Sequence, residues 1–541
     1  MSGEYDTIVI GAGPNGLTAA SYLAAAGQKV LVVERYVETG GGLVTQEISG
    51  FRLNHHAIYM MMGELLPPYH ELGLADKGVK FIRPDSQVSF LFDEGKSMTL
   101  YTDPERSQAS IEALSPTDGP AFRTMYDEFK EMCDAFLIPA TYFPPIPPVE
   151  QTMYLADSDE LGKLIAEISE WSPIEVIDRY GFEDERVRGA FLYLATMFGL
   201  EADEGGMGFL VPIYVYRLMN NALVQGGSHQ LSSGLRRTLE EHGGSVLTSK
   251  GAARVIVADG LAVGVGLEDG TEIRAESVIS TLNPAQTFLQ LLDPETLEPD
   301  IRKAAEEWQW EKTSLFIFNS GVVAEAPVYE GYDRAVGESL IVVMGYQSAG
   351  DVIEHQREVA AGKRDRIAGH VTVPSLFDPL MAPDHVPFGP HHVLRWECWA
   401  PYDGDWSDKA RDEYRRRCLE FWTRYAPNIR DANLRVCVTW SPKDIETHLA
   451  TMKRGSIKHG AYVSLQMGYN RPFPEGSSYR TPVEGLYVGG ASVHPGGMVI
   501  MGPGYNVSRA LAEDLELELP WKELSMVTAA RERGYLVLED D

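Results

Sequence analysis

The chain has 541 residues and a mass of 59.9 kDa, room for roughly two to four domains. Hydrophobic residues make up 44% and aromatics 10%, enough for a large buried core, which excludes global disorder. The formal charge of −31, from 47 Lys and Arg against 78 Asp and Glu, repels nucleic-acid phosphates and gives no general attraction to anionic lipid. Cys133, Cys398, Cys418 and Cys437 form no CxxC pair, and no histidine spacing supplies a zinc signature, so neither a disulfide framework nor a metal site is expected. No run of 18 apolar residues exists, and the MSGEYDTIVIGAG start lacks a basic and an apolar signal region. The expectation is a cytoplasmic protein without a transmembrane segment; peripheral membrane contact stays open.

The first 35 residues carry the clearest pattern. Asp6 to Ile10 is a short apolar run of the kind that forms a buried parallel strand. GAGPNG follows at Gly11 to Gly16, then an alanine- and leucine-rich helix over Leu17 to Ala26, stopped by Gly27. Lys29 to Val33 is a second apolar run and ends in Glu34. This is a βαβ unit of the dinucleotide type. FPPIPP at Phe143 to Pro148 reads as an ordered linker or loop. Leu231 to His242 reads as a helix. Arg254 to Ala258, Leu261 to Glu268 and Thr271 to Arg274 read as a three-stranded meander with Asp-Gly turns, and Ser277 to Ser280 as a separate buried strand. Near the C-terminus Leu486 to Val488 reads as a strand, GGASVHPGGMVIMGPG as a glycine-rich stretch, and Tyr505 to Asp514 as a helix. The final LEDD reads as a solvated tail.

In the GxGxxG fingerprint each glycine has a role. Gly11 permits the tight turn, Gly13 lets a pyrophosphate approach the backbone, and Gly16 lets helix and strand pack closely, with Pro14 and Asn15 opening the helix. The helix N-terminus offers amides and a positive dipole end to phosphates. Glu34, 18 residues after Gly16, would accept hydrogen bonds from ribose hydroxyls. A second GxG, at Gly264 and Gly266, lies inside the meander and is read as strand glycine. One fingerprint argues for one tightly held dinucleotide, FAD, and against a separate NAD(P)H domain. Gly40-Gly41-Gly42 would let backbone pass close to a flat or charged group.

The string ER-x4-GG-x3-T-x-E from Glu34 to Glu47, then Gly50-Phe51, Gly226-Gly227, the meander, Lys458-His459-Gly460, YRTPVEGLYVGG and HPGG-x-V-x4-GYN together resemble the phytoene-desaturase-like branch of the FAD-dependent amine oxidase superfamily. The resemblance implies an α/β fold: a discontinuous, glutathione-reductase-like Rossmann-type FAD domain (1–75, 225–290, 475–525) with an inserted mixed α+β substrate domain (76–224, 291–474) and a C-terminal tail (526–541). It places Gly11, Gly13, Pro14, Asn15 and Gly16 at the FAD pyrophosphate, Glu34 and Arg35 at the adenosine, and Ala252 at the adenine. Gly40, Gly41 and Gly42 would line the ribityl and flavin side. Gly490 and Ala491 would sit at the pyrophosphate and ribityl chain, Gly497, Met498 and Val499 at the flavin ring, and the helix near Tyr505 would aim its N-terminus at the flavin. His494, His459 and Tyr505 are the candidate catalytic residues.

Here the family's HPGGGV-x-G reads HPGGMVIM. Met498 and Met501, with Met60 and Met61, therefore suggest a narrowed apolar substrate pocket. The implied activity is desaturation of an apolar isoprenoid or alicyclic molecule, with or without a carbonyl, by hydride transfer to non-covalent FAD. The electron acceptor stays open among oxygen, a quinone or another carrier. An amine or alcohol oxidase, a flavin-dependent isomerase and a non-catalytic prenyl-protein escort are the alternatives. Retention of Gly11, Gly13, Gly16, Glu34, Gly40, Gly41 and Gly497 argues against the escort.

Overall fold

The computed structural model describes residues 4–383 and 389–538. Among these, two seven-stranded sheets organise the chain. The first starts from Tyr5–Ile10, apolar and almost fully buried, which pairs in parallel with Val30–Val33 on one side and with Glu272–Ser280 on the other. Ser245–Leu247 extends one edge, and Leu486–Val488, more than 200 residues later, pairs with the end of Glu272–Ser280. Strands buried on both faces need cover on both faces. Helix Pro14–Ala25, with the helices His229–Glu241 and Gly502–Asp514 packed beside it, supplies a layer of that cover.

Glu272–Ser280 differs from the sequence expectation. It is one nine-residue strand, not two short ones. Its first half alternates exposed and buried residues and closes the meander with Leu261–Leu267; its last four residues are all buried and join the parallel sheet. No turn residue interrupts 272–280, so the extended chain runs straight from one partner to the other. Helix Gly502–Asp514 begins three residues before the expected start, with Pro503 in its first turn. Gly264 sits in a meander strand, where a Cβ would overlap the Ile273 carbonyl oxygen.

The second sheet runs in the order 434–440, 314–323, 391–400, 369–372, 341–344, 86–91, 97–101. Its long central pair, Ser314–Val323 and His391–Ala400, is antiparallel over ten residue pairs and almost wholly buried. FPPIPP is a loop whose Phe143 and Ile146 are buried and whose last proline opens helix Pro148–Asp157. The C-terminal segment is not a simple tail: Ser525–Glu532 is a helix, with Val527, Ala530 and Tyr535 buried. The acidic residues 539–541, expected to be solvated, lie outside the described residues. Among the described residues no helix is long and apolar enough to cross a membrane, and no group of three or more His, Cys, Asp or Glu is placed to hold a metal ion.

Candidate active site

A cavity of about 420 Å³ opens at the C-terminal ends of Tyr5–Ile10 and Val30–Val33, where Ile10 and Val33 line it. Gly11 makes the turn out of the first strand at φ +101°, a backbone state that side chains disfavour. A Cβ on Gly16 would overlap the Gly11 carbonyl oxygen, so the helix start packs directly on the strand end. Gly13 faces open space, with only Gly41 Cα 4.0 Å from where a Cβ would stand. The helix has no capping side chain and no acidic residue in its first turn, which leaves the Asn15 and Gly16 amides beside Pro14 in the cavity wall without intrahelical partners.

Glu34 lines the same end. Its Oε2 accepts from Ala12 N–H at 2.7 Å and its Oε1 from Tyr36 N–H at 2.9 Å. Burial pushes its carboxyl above the ordinary value, against the pull of these two N–H groups. Arg35 pairs with Glu268 at 2.6 Å, both about half exposed, and Ala252 stands beside them in the wall with Gly251 and Ala253. Bare glycine backbone, free helix amides and a carboxylate with spare lone pairs fit the ADP half of FAD. Gly41, Gly42, Ala491, Gly497, Met498 and Val499 continue the wall and fit the flavin half. Met498 and Val499 hold φ +69° and +57° there. For the β-branched Val499 that is a costly conformation, on the order of 1–3 kcal/mol, sustained only by its surroundings. Gly497 N–H donates to Tyr462 Oη at 2.8 Å, and Tyr142 Oη donates to the Ile500 carbonyl at 2.9 Å, pinning the stretch on both sides.

Seven expected site residues do not line the cavity. Gly40 N–H donates to the Ala12 carbonyl at 2.8 Å and shapes the loop behind the wall. Gly490 packs on the Thr281 backbone, which a Cβ would overlap. His494 Nε2 bonds the Ala140 carbonyl oxygen at 2.9 Å, half-buried and outside the cavity wall. Tyr505 is buried between Tyr22 and Tyr142, edge-on to both, with the Arg509 guanidinium over its ring. The first turn of its helix packs on Asn15 and Thr141, and none of its residues lines the cavity. Met60, Met61 and Met501 are core: the Met60 backbone pairs with Ala222, the Met61 carbonyl accepts from Arg217 Nε at 2.8 Å, and Met501 is fully buried.

The far end is apolar and aromatic, with Ile58, Tyr59, Phe198, Leu315, Met452 and Ile457. His459 lines it with its Nδ1 buried and without a hydrogen-bond partner; burial, then Arg471, lowers its pKa to about 4. Its neighbour Lys458 is turned away, fully buried on Glu311 at 3.1 Å and on the Phe198 carbonyl at 2.8 Å. His56, also in the wall, sits 2.8 Å from Met452 Sδ and is likewise held neutral, to about 4, by burial and Arg395.

Glu397 brings a carboxylate to this end, beside the two histidines, and sequence reasoning missed it. It lines the cavity at 3% exposure, with Oε2 accepting from Arg395 at 2.5 Å and Oε1 3.7 Å from His370 Nε2. Arg395 also donates to the carbonyls of Asn54 and of His56, the latter at 2.7 Å. Burial works against the Glu397 charge, yet Arg395 and then His370 hold its carboxyl below the usual range. A signal was present: R-W-E-C-W places two opposite charges at i and i+2, one face of an otherwise apolar strand.

Residues 15–502 match the family described as flavin containing amine oxidoreductase. The chain is 42% identical to a subunit of limonene dehydrogenase from Castellaniella defragrans, over 99% of each chain. It is 24% identical to "Phytoene desaturase (neurosporene-forming)" of Rhodobacter capsulatus, over 95% of each. Among solved structures it resembles an oxidoreductase from Methanosarcina mazei at TM-score 0.60 and 19% identity, over 94% of this chain and 99% of that one. The chain belongs to the flavin-containing amine oxidoreductase family, in its phytoene-desaturase-like branch, and is an FAD-dependent oxidoreductase.

Proposed function

We propose that this protein is a dehydrogenase that introduces a C=C bond into a compact apolar isoprenoid. The observation that carries this reading is the end-to-end similarity to the limonene dehydrogenase subunit. The cavity supports it: an end lined by glycines and Glu34, suited to phosphate and ribose, runs into an end lined by apolar and aromatic side chains. The first sheet and its helices form the cofactor unit, and the second sheet forms the roof over the substrate.

Gly11, Gly13, Asn15 and Gly16 bind the pyrophosphate, and Glu34 the ribose. Arg35 and Ala252 flank the adenosine. Gly41, Gly42, Ala491 and Gly497 to Val499 pass close to the flavin. When bound, FAD supplies the acceptor for the hydrogen and electrons taken from a C–H bond. The residues Ile58, Tyr59, Phe198 and Leu315 orient the hydrocarbon and exclude water. The cofactor is held without a covalent bond. The relative's designation as a subunit supports action with a second, different chain. A quinone or oxygen takes the electrons. The location is the cytoplasm, in keeping with four unpaired cysteines.

Anaerobic addition of monocyclic and acyclic terpenes, cyclic ketones, amines and alcohols tests the reading. Terpenes should bleach the flavin absorbance. Bleaching by amines or alcohols alone would overturn it, and reoxidation by added quinone or by air identifies the acceptor.

A further inference from the structure

A buried ion pair contributes little to stability by itself, because desolvation cancels most of the attraction, and an apolar pair of similar volume often does as well. Arg395 and Glu397 are such a pair, almost fully buried. Their surroundings are unusual in one respect: Glu397 Oε1 makes no hydrogen bond, although the residue stands in the cavity wall. Around it are buried His370, whose Nε2 stands 3.7 Å from Glu397 Oε1, and Tyr59 and Thr372, whose hydroxyls face one another. Strand register sets His370 opposite Glu397 and Thr372 opposite Arg395. Buried polar groups are nearly always partnered, so a carboxylate oxygen left without a hydrogen bond in the cavity wall is placed for something outside the protein chain.

Its place along the cavity is defined by a chain of contacts. A Cβ on Gly42 would stand 3.5 Å from the His56 ring, the His56 carbonyl accepts from Arg395, and Arg395 holds Glu397. The carboxylate therefore follows the glycine loop that fits the flavin, among the aromatic rings of Tyr59 and Phe198, whose centroids are 6.4 Å apart. The positive partner is largely committed elsewhere, since Arg395 spends two of its donors on backbone carbonyls.

We propose that Glu397 is a catalytic carboxylate, whose free oxygen is the counter-charge for positive charge developing on an apolar substrate and the acceptor of its proton. The proposal rests on the dehydrogenase reading. One C–H bond of the hydrocarbon breaks and both its electrons leave with the hydride to FAD, so the carbon is left positive. The neighbouring C–H bond then breaks, its electron pair becomes the π bond, and the proton passes to Glu397 Oε1. The depressed pKa of the carboxyl suits this task, because a carbocation is a strong acid and needs a persistent anion more than a strong base. The rings of Tyr59 and Phe198 add their π faces to the same charge.

Two probes of equal shape test it: cyclohexyltrimethylammonium, with a fixed positive charge and no oxidisable amine proton, and neutral tert-butylcyclohexane. Both are titrated into the FAD-loaded protein under anaerobic conditions and followed by perturbation of the flavin spectrum and by thermal shift. The wild type should bind the cation at least about tenfold more tightly than the neutral probe, as expected for an ion paired in a partly desolvated site. Glu397→Gln should keep FAD and the neutral probe and lose the preference. Should that variant fail to fold around an unpaired Arg395, the double variant Arg395→Met with Glu397→Met removes the pair without stranding a charge and should lose the preference equally. No preference in the wild type, or a preference that survives either variant, overturns the proposal. Absence of bleaching by any hydrocarbon, with the charge preference intact and dependent on Glu397, would instead reject the dehydrogenase reading.

Discussion

The carboxylate of Glu34 accepts a hydrogen bond from the backbone N–H of Ala12 at 2.7 Å, joining the end of the second parallel strand to the glycine turn after the first. The same carboxylate lines the cavity, so it both holds the phosphate loop in shape and offers its remaining lone pairs to a ribose. Glu34→Ala should weaken FAD binding by about 1.5–3 kcal/mol, the range for hydrogen bonds to a charged group. Titration of FAD into the stripped variant measures it. Heat or acid treatment of the wild type should release a yellow supernatant with the FAD spectrum, and colour that stays with the precipitate would reject non-covalent binding.

A single dinucleotide fingerprint serves the cavity, and the other GxG is strand packing at Gly264. NADH or NADPH, mixed anaerobically with the holoenzyme, should therefore leave the flavin oxidised over minutes. Rapid bleaching would reveal a nicotinamide site elsewhere.

Met498 and Met501 separate cleanly. Met498 borders the cavity, and Met501 is core. Met498→Gly relieves a positive φ and enlarges the pocket, so FAD should stay bound while activity shifts towards bulkier hydrocarbons. Met501→Gly also relieves a positive φ, worth on the order of 1 kcal/mol. The void it leaves costs about 2–5 kcal/mol, so the melting temperature should fall with the substrate profile unchanged. A changed profile in Met501→Gly would contradict this assignment.

Six histidines carry depressed pKa values, four of them buried and two, His459 and His494, half-buried: His55, His56, His370, His459 and His494 at about 4, and His355 at about 3, all chiefly through desolvation. In the unfolded chain they bind protons near 6.5. Unfolding takes up protons between these values, so their contribution is complete above pH 6.5 and is lost as the pH falls towards 4. Each contributes up to about 1.4 kcal/mol per pH unit in that window. Melting temperature should drop steeply from pH 6.5 to 5, and a flat profile would show that these rings are not buried neutral.

His494 and His459 should behave differently on substitution. His494→Leu removes the donor to the Ala140 carbonyl and should cost about 1–3 kcal/mol of stability, with normal flavin reduction per bound FAD. His459→Gln changes the cavity wall and should alter substrate affinity or the reduction rate. Equal kinetic loss in both variants would place His494 nearer the chemistry than the geometry does.

The cofactor end was legible because its chemistry is local. The turn at Gly11, the close approach at Gly16 and the carboxylate ending Val30–Val33 lie within one βαβ unit, where glycine placement and apolar runs dictate geometry. The meander was legible from its Asp-Gly turns, but not the fusion of its last strand with the parallel sheet, since that depends on which partners flank Glu272–Ser280. Glycines 40 and 490 and residues His494 and Tyr505 share motifs with true wall residues, yet motif position does not say which side of the backbone faces the cavity. Met60, Met61 and Met501 read as pocket for the same reason. Tertiary structure alone brought Glu397 to the cavity and Arg395 to the carbonyls of Asn54 and His56, about 340 residues away in sequence. A charge can be buried only where distant chain segments supply its partners, and no local pattern records where those segments will meet.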